Sequence, residues 1–423
     1  MLQRRSFLTG ALGVAAAAGS SAPAASDQLV VGFIGTGGRA QRHLIPSFKL
    51  FDNVRVAAMC DVYKPNLDLA VSIAGGKVDT YGDYRRILDR KDIDAVVIGT
   101  PDHWHCPMII AACEAGKDIY VEKPLSNEID PCVKAVAAAR KNNRVVQVGL
   151  QQRSSTPFLE AYKVLQSGII GKVRHVVLIN PGGGARPGGG SAAGGGGRRP
   201  TAEASAPPPG LDWEAFQGPA PRRPYSLQRQ QNWRNYWEYG GGPLSDWGVH
   251  LLDIAHWYMG VTEPARTAAA ASGSFNRPQD ERFPDTTEVA WQYPNFVADY
   301  SSRSDLLGTY LWGDQGVLFV NRYGYIVRPV PAGQDWTRTG SAKPFEEKRV
   351  ALHDEPPQSK PTFDADEAKH VKNFMECVKS RQRPVADIEI GAFSTIPTLM
   401  GGMSIRNGGK TVVWNGHGAA LLS

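Results

Sequence analysis

The chain takes its architecture from the stretch Leu29-Val30-Val31-Gly32-Phe33-Ile34-Gly35-Thr36-Gly37-Gly38-Arg39-Ala40. Its first six residues are apolar or small, with a β-branched run, as in a buried parallel strand. Glycines then follow, and a helical stretch begins near Gln41. Glycines between a strand and a helix let the backbone approach a pyrophosphate at the helix N-terminus. Because the pattern is G-x-G-G-x-A rather than the full fingerprint, it predicts a dinucleotide site only together with its surroundings.

The second predicted strand supplies the matching acid. Val54–Cys60 is apolar and β-branched, and it ends on Asp61. An acid at the end of the second strand is the expected partner of the adenosine ribose diol. Since a carboxylate repels a 2′-phosphate, Asp61 favours NAD. Arg39 and Lys64 lie close enough in the sequence to keep NADP as the alternative.

Strands and helices continue to alternate as far as residue 150. This alternation predicts a doubly wound parallel sheet in a domain spanning residues 27–150. Thr100-Pro101-Asp102-His103-Trp104-His105 follows the strand over 94–100, at the end where ligands bind in such sheets. His103 and His105 form an H-x-H pair without a third ligand nearby, so we predict a loop lining the cofactor cleft and no metal site.

Glu122-Lys123-Pro124 ends the next short strand, which begins at Asp118. A lysine at a strand end beside a cofactor can contact a substrate oxygen. The alternative is a surface Glu–Lys pair, and the proline is compatible with a cis turn. After the last strand of this domain, over residues 145–150, Arg153 leads into a second domain.

A second motif lies in Gly240-Gly241-Gly242-Pro243-Leu244-Ser245-Asp246-Trp247-Gly248-Val249-His250-Leu251-Leu252-Asp253-Ile254-Ala255-His256-Trp257. This stretch reads as one helix with Ser245 or Asp246 as its N-cap. On a 3.6-residue period Asp246, His250 and Asp253 share one face. A carboxylate can orient and tune an imidazole for proton transfer, and a solvated polar face is the alternative.

Residues 151–423 are predicted to form the second domain, with short strands over 173–180 and between 265 and 349. Its Gly-, Ala-, Pro-, Ser- and Arg-rich part, 181–210, cannot bury apolar surface, and we predict a disordered insertion there. Trp233 and Arg234 belong to an aromatic cluster just before the second motif. Such a cluster suits a sugar ring, with plain packing as the alternative.

Composition bounds the remaining possibilities. A chain of 423 residues with 42% hydrophobic residues can bury two cores, and its net charge of +6 is modest. Part of that charge lies in the N-terminal segment and around Arg198 and Arg199, so nucleic acid is not predicted as a partner. The five cysteines form no C-x-x-C pair, so neither a disulfide framework nor a zinc site is implied.

The N-terminus has the pattern of an export signal over residues 1–26. Arg4-Arg5-Ser6-Phe7-Leu8 precedes an uncharged Ala/Gly-rich run, and Ala22-Pro23-Ala24 provides a small-residue cleavage site. The pattern resembles a twin-arginine signal, with an ordinary secretory signal as the alternative. The run is too short for a membrane span. We therefore predict a periplasmic or secreted protein that uses the export machinery and has no membrane span.

Taken in order, G-x-G-G-x, T-P-D-H-W-H, E-K-P and D-W-G-x-H-x-x-D resemble the Gfo/Idh/MocA oxidoreductase family, particularly its exported members with a twin-arginine signal. The resemblance extends from about Leu29 to Trp414. It implies a Rossmann domain followed by an α/β domain with an open, mostly antiparallel sheet whose outer face often mediates oligomerisation. It also assigns the catalytic roles to Lys123, Asp246 and His250, and it implies a homo-oligomer.

The expected reaction is hydride transfer between a sugar or polyol hydroxyl and NAD. His250 would take the hydroxyl proton, Asp246 would orient the imidazole, and Lys123 would stabilise negative charge on the oxygen. We expect the cofactor to be contacted by Gly35, Gly37, Gly38, Arg39, Asp61, Thr100, Pro101, His103, His105, Glu122 and Lys123. We expect the carbohydrate substrate to be contacted by Arg153, Trp233, Arg234 and Asp253.

Export constrains this function, because free NAD should be scarce outside the cytoplasm. The cofactor would then be loaded before export, held tightly and regenerated in place. Two alternatives therefore stay open beside a plain oxidoreductase. One is a redox-neutral NAD-dependent glycosidase or lyase acting through a keto-sugar, which the family resemblance also implies. The other is a non-enzymatic nucleotide-binding protein.

Overall fold

A computed structural model describes residues 28–181, 206–274, 282–303, 305–330, 345–351 and 361–422, without the side chains of 361–365. The export signal predicted for residues 1–26 lies outside the described residues. So does the predicted insertion over 181–210, apart from residue 181 and residues 206–210. Within the described residues, no helix combines the length and apolar character needed to cross a membrane.

The first sheet has six strands in the order β3-β2-β1-β4-β5-β6, and all of its pairs are parallel. This order is that of doubly wound dinucleotide-binding sheets, so the predicted Rossmann architecture is confirmed. The strands are β1 (Leu29–Ile34), β2 (Val54–Cys60), β3 (Asp79–Tyr81), β4 (Ala95–Ile98), β5 (Asp118–Val121) and β6 (Val146–Val148). Their connections include a π-helical turn (Ala40–Leu44), α1 (Ile45–Lys49), α2 (Lys64–Ala74), α3 (Arg85–Leu88), α4 (Asp102–Glu114) and α5 (Ile129–Lys141).

The second sheet has ten strands in the order β14-β13-β12-β11-β7-β10-β9-β8-β15-β16. Only the pair β7–β10 is parallel among its strand pairs in the described chain, so the predicted open, mostly antiparallel sheet is confirmed. The strands are β7 (Val173–Ile179), β8 (Thr267–Gly273), β9 (Thr286–Gln292), β10 (Val297–Ser301), β11 (Gly308–Gly313), β12 (Gly316–Val320), β13 (Gly324–Pro329), β14 (Lys348–Ala351), β15 (Val412–Trp414) and β16 (Ala419–Leu421).

The helices of the second half are α6 (Thr156–Gln166), α7 (Trp213–Gln217), α8 (Leu227–Gln231), α9 (Gly242–Asp246), α10 (Gly248–Met259), α11 (Pro361–Ser380) and α12 (Ile388–Arg406). Short 3₁₀ turns cover Gln151–Ser154 and Trp233–Asn235.

Helix α11 returns to the first sheet. Its residues Val371, Phe374 and Cys377 belong to the same buried cluster as Phe48 and Tyr120 of the nucleotide-binding half. The Phe374 ring meets the rings of Phe48 and Tyr120 edge-on at 6.3 and 5.9 Å. Since a fully buried aromatic ring contributes much of the local packing energy, α11 fixes the two halves of the chain together.

The second motif differs from the single helix predicted for it, because Trp247 separates α9 from α10. In a continuous helix the carbonyl of Asp246 would accept the amide hydrogen of His250. Instead, His250 N donates to Trp247 O at 3.0 Å, and Asp246 O accepts from Lys123 Nζ at 2.8 Å. The predicted N-cap at Ser245 or Asp246 is therefore wrong, since both residues lie inside α9.

Candidate active site

One cavity of about 1590 Å³ runs from the glycine turn after β1 to the break between α9 and α10. It joins the predicted cofactor site to the predicted catalytic residues. Of the predicted site residues, it is lined by Gly35, Gly37, Gly38, Arg39, Asp61, Thr100, Pro101, Glu122, Lys123, Trp233, Arg234, Asp246 and His250.

The dinucleotide end has the geometry that a nucleotide cofactor requires. Gly35 has φ +80°, and a Cβ there would lie 2.6 Å from Thr100 Cγ2, so only glycine fits. Asp61 Oδ2 accepts from Thr36 N at 2.7 Å, and Asp61 Oδ1 accepts from Tyr63 N at 2.8 Å. Burial raises the pKa of Asp61 while these hydrogen bonds oppose the rise. The turn and the acid are thus fixed in the positions that fit a pyrophosphate and a ribose diol.

Arg39 contacts two carboxylates. It makes ion pairs with Glu122, 2.8 Å away, and with Glu367 of α11. Burial opposes the charge of Arg39, but Glu122 and Glu367 outweigh it and raise its pKa. Lys64, the other cation considered for a 2′-phosphate, is paired with Asp68 at 2.6 Å. Both cations are therefore engaged by acids, which favours NAD over NADP.

Lys123 is positioned by Asp246, and the peptide bond between Lys123 and Pro124 is cis. Its Nζ donates to Asp246 Oδ1 at 2.6 Å and to Asp246 O at 2.8 Å. An ammonium group has three hydrogens, so one remains for an oxygen in the cavity. Burial opposes ionisation of Asp246, but Lys123 and then Arg234 outweigh it and lower its pKa to about 2. The carboxylate is therefore ionised across the physiological range.

His250 contributes a neutral imidazole to the cavity. Burial, followed by the positive charges of Lys123 and Arg322, holds its pKa well below the usual value. A neutral imidazole can accept a proton. No described residue hydrogen-bonds its Nδ1, and the Asp246 carboxylate accepts from Lys123 and Arg234. The prediction that Asp246 orients the imidazole is therefore wrong: Asp246 orients Lys123 instead.

Four predicted site residues do not line the cavity. Arg153 Nε donates to both oxygens of Asp253 at 2.9 Å, and Asp253 also accepts from Ser394 Oγ at 3.0 Å. These two residues form a buried ion pair between the helices, so the prediction that they contact substrate is wrong. His103 donates to Phe216 O at 3.0 Å, and His105 lies between two backbone carbonyl oxygens. Both histidines are structural, so their predicted cofactor contact is also wrong.

Other cavity residues escaped the sequence reasoning. Asp102 stands inside the T-P-D-H-W-H motif, where only the neighbouring histidines were considered. Arg322, in the turn between β12 and β13, lies over the Trp247 ring at 4.6 Å, and burial lowers its pKa to about 10. Glu367 reaches Arg39 across 328 positions. No local pattern signals Arg322 or Glu367, because their roles come from contacts distant in sequence.

Within the described parts of the chain, no group of three or more His, Cys, Asp or Glu residues could hold a metal ion.

Comparison with known proteins separates the chain into the same nucleotide-binding and C-terminal parts. The NAD-binding Rossmann domain model of the Gfo/Idh/MocA oxidoreductase family matches residues 29–150. Two models of the family's C-terminal α/β domain match residues 161–274 and 220–394. The chain belongs to the Gfo/Idh/MocA oxidoreductase family. The predicted family, the enzyme class and the NAD cofactor are thereby confirmed.

Two curated relatives of this family member are similar over part of their length. A protein named glycosyl hydrolase family 109 protein, from Shewanella sp. (strain W3-18-1), is 32% identical over 157 residues, which are 35% of this chain and 34% of that protein. Inositol 2-dehydrogenase 3 from Saccharopolyspora erythraea is 32% identical over 155 residues, which are 36% of this chain and 45% of that protein. The match thus covers about a third of the length of the first relative and under half of the length of the second.

A solved structure supports the fold of this family member. The aldose-aldose oxidoreductase from Caulobacter crescentus, complexed with glycerol, superposes with a TM-score of 0.62 at 21% identity. The superposition covers 92% of this chain and 100% of the other. At this identity the likeness shows the shared two-sheet architecture.

Proposed function

We propose that the protein is an NAD-dependent oxidoreductase that transfers hydride between nicotinamide and a hydroxyl-bearing carbon of a sugar or polyol. A single observation carries the proposal: one cavity connects the Gly35 turn and Asp61 to Lys123 and His250. The nicotinamide supplies the hydride acceptor or donor when it is bound. The names of the curated relatives, one an inositol dehydrogenase and one a glycosyl hydrolase, support a carbohydrate as the substrate class.

In this proposal the chain's own residues handle the proton and the charge. The neutral imidazole of His250 takes the hydroxyl proton as the carbon is oxidised. The third N–H of Lys123 bonds the same oxygen and stabilises the negative charge that develops on it. Asp246 serves this step indirectly, since its carboxylate and its carbonyl hold the ammonium in place. Arg234, at 3.3 Å from Asp246 Oδ1 and over the Trp233 ring, borders the substrate end.

We also propose that the cofactor is retained between turnovers. Support comes from residues 206–219, here called the clasp, which form part of the cavity wall. Lys64 N donates to Gly210 O at 2.8 Å, and Asp212 N donates to Val62 O at 2.9 Å. The clasp is thus bonded through its backbone to the loop that follows Asp61. A dinucleotide bound at Asp61 would lie beside this wall in the same cavity.

Retention favours a second candidate, the redox-neutral glycosidase or lyase acting through a keto-sugar. A cofactor that stays in place must recover its oxidation state there, and a redox-neutral reaction does this without a second substrate. The relatives named glycosyl hydrolase family 109 point in the same direction. Retention also fits an exported protein. Twin-arginine export and a periplasmic or secreted location remain proposals that rest on residues 1–26.

A homo-oligomer is likewise a proposal. Its support is the outer face of the second sheet, where Val297 is 43% exposed and Trp312 is 41% exposed.

One experiment tests the proposed reaction and the proposed cofactor retention together. The protein is purified without added cofactor, and one portion is denatured to measure released NAD(H) or NADP(H). A panel of hexoses, inositols and glycosides is added to another portion while nicotinamide absorbance is followed. We expect released NAD(H) and a lasting absorbance change with a sugar. Bound cofactor with aglycone release and no lasting change would establish the redox-neutral alternative, and no bound cofactor would refute retention.

A further inference from the structure

A second carboxyl group, that of Asp102, lines the cavity in addition to Asp246. Asp102 is the first residue of α4, is 4% exposed and lines the same cavity as Lys123 and His250. The charges of Arg234, Asp246 and Lys123 act on it. None of the roles assigned above uses this side chain.

The two aspartates of the cavity differ in how they are bonded. Asp246 accepts hydrogen bonds from Lys123 at 2.6 Å and from Arg234 at 3.3 Å. For the Asp102 carboxyl, neither a hydrogen bond nor an ion pair is found among the described residues. Burial accordingly raises the pKa of Asp102 well above its usual value, although Arg234 opposes the rise. The Asp246 carboxylate is thus bonded to two cations, whereas the Asp102 carboxyl keeps its hydrogen-bonding capacity.

Asp102 packs closely against Gly240 on one side and lines the cavity. Gly240 faces it, and a Cβ at Gly240 would lie 3.3 Å from Asp102 Oδ2. A buried polar group without a partner is costly, so proteins normally provide one. Where the group faces a substrate cavity, the substrate can be that partner. The first turn of α4 favours a negative charge on Asp102 but bonds neither oxygen in this structure.

We propose that Asp102 binds a second hydroxyl of the substrate, distinct from the hydroxyl held by Lys123 and His250. This inference rests on the proposed oxidoreductase function and sharpens its substrate class. The substrate is a polyhydroxy compound bound at two oxygens. Lys123 and His250 contact the oxygen that reacts, and Asp102 hydrogen-bonds the other. A protonated carboxyl can both donate to and accept from a hydroxyl, which suits a neutral sugar. A simple alcohol would leave the Asp102 carboxyl without a partner.

The test compares wild type, Asp102→Ala and Asp102→Asn on one sugar and its monodeoxy analogues. The parent is the hexose or inositol with the highest kcat/KM in the panel. Glu114→Ala is the matched control, since Glu114 is the exposed last residue of α4. Binding of each sugar to the cofactor-loaded protein is measured by calorimetry beside kcat and KM.

For Asp102→Ala we expect kcat/KM on the parent sugar to fall about 10- to 100-fold, as for loss of a strong hydrogen bond. On one monodeoxy analogue, wild type and Asp102→Ala should agree within about twofold, because the bonded hydroxyl is absent from both complexes. Asp102→Asn should recover part of the loss, since an amide also donates and accepts. Glu114→Ala should behave as wild type.

An equal loss on every analogue would overturn the inference, because it would show a structural role. So would unchanged kinetics and sugar binding in Asp102→Ala. In both cases wild-type turnover would leave the proposed function standing. If the wild type neither binds nor oxidises any sugar of the panel, the proposed function and this inference both fall.

Discussion

Removing the Lys123 ammonium is the most direct perturbation of the proposed chemistry. In Lys123→Met the apolar stem keeps its length, but the N–H that faces the cavity is lost. Two of the three ammonium hydrogens bond Asp246, so the variant removes one donor to the substrate oxygen and two to Asp246. Loss of a single donor to a developing oxyanion costs about 10²- to 10³-fold in kcat, or about 3–4 kcal/mol.

The same substitution also affects stability. Asp246 would keep only Arg234, at 3.3 Å, as a directly bonded cation. Removing one partner of a buried ion pair costs about 3–5 kcal/mol, since the remaining charge is poorly compensated. Lys123→Met with Asp246→Asn removes both charges and should therefore recover much of the lost Tm while staying inactive. This pair of variants separates a catalytic loss from an unfolding loss.

The assay is single-turnover hydride transfer, followed by nicotinamide absorbance at saturating sugar, together with cofactor release on denaturation. We expect Lys123→Met to retain its cofactor, because the Gly35 turn and Asp61 are untouched, and to transfer hydride about 10²- to 10³-fold more slowly. Transfer within about threefold of wild type would refute the role of Lys123. Loss of the cofactor itself would show that Lys123 acts in binding rather than in the reaction.

Four further outcomes are expected. His250→Gln should lower kcat about 10²- to 10⁴-fold. Because the pKa of His250 is lowered, wild-type kcat/KM should stay flat as pH falls through the usual histidine range. A drop in kcat/KM centred on that range would contradict a neutral base. Glu367→Gln should lower the free energy of unfolding in urea by at most about 3–5 kcal/mol, since Arg39 keeps its ion pair with Glu122. An unchanged urea midpoint would show that the Arg39–Glu367 ion pair does not stabilise the fold. For Asp102, the raised pKa means that the folded state binds the proton more tightly, so Asp102→Asn should have no effect on Tm below about pH 4. Above that pH the Tm of Asp102→Asn should exceed that of wild type increasingly up to the raised pKa, and the difference should then stay constant; a pH-independent difference would refute this. Gly218→Val introduces a Cβ 2.0 Å from the Trp104 ring at a φ of +51°. The variant should therefore displace the clasp and release its cofactor faster, as measured by gel filtration over time. The control Glu114→Ala should release cofactor at the wild-type rate.

Short-range sequence signals were sufficient for the architecture. Strand β1 and the Gly35 turn could be predicted because the apolar run and the glycines that mark them are contiguous in the sequence. Asp61 could be predicted because its position at the end of β2 follows from the order of the elements. Lys123, Asp246 and His250 came from motifs rather than from periodicity alone.

The error about Asp246 and the imidazole comes from a contact that is distant in sequence. An unbroken 3.6-residue period puts Asp246 on the same helix face as His250 and Asp253. The bond from Lys123 to the Asp246 carbonyl interrupts that helix, and Lys123 lies 123 residues away. Periodicity cannot detect a break imposed by so distant a partner. Asp253 stays in α10 with His250, but it pairs with Arg153, and neither Asp253 nor Arg153 lines the cavity.

The same distant contacts explain why the nucleotide-binding half depends on the rest of the chain. Arg39 follows the glycine turn directly, yet one of its two carboxylate partners is Glu367 of α11. Four to ten residues further along α11, Val371, Phe374 and Cys377 complete the core beneath that turn. A change in α11 therefore alters both the packing behind the glycine turn and the charge balance at Arg39. Because Glu122 bonds Arg39 and precedes Lys123, the same ion pairs connect the cofactor cleft to the residue proposed to hold the substrate oxygen.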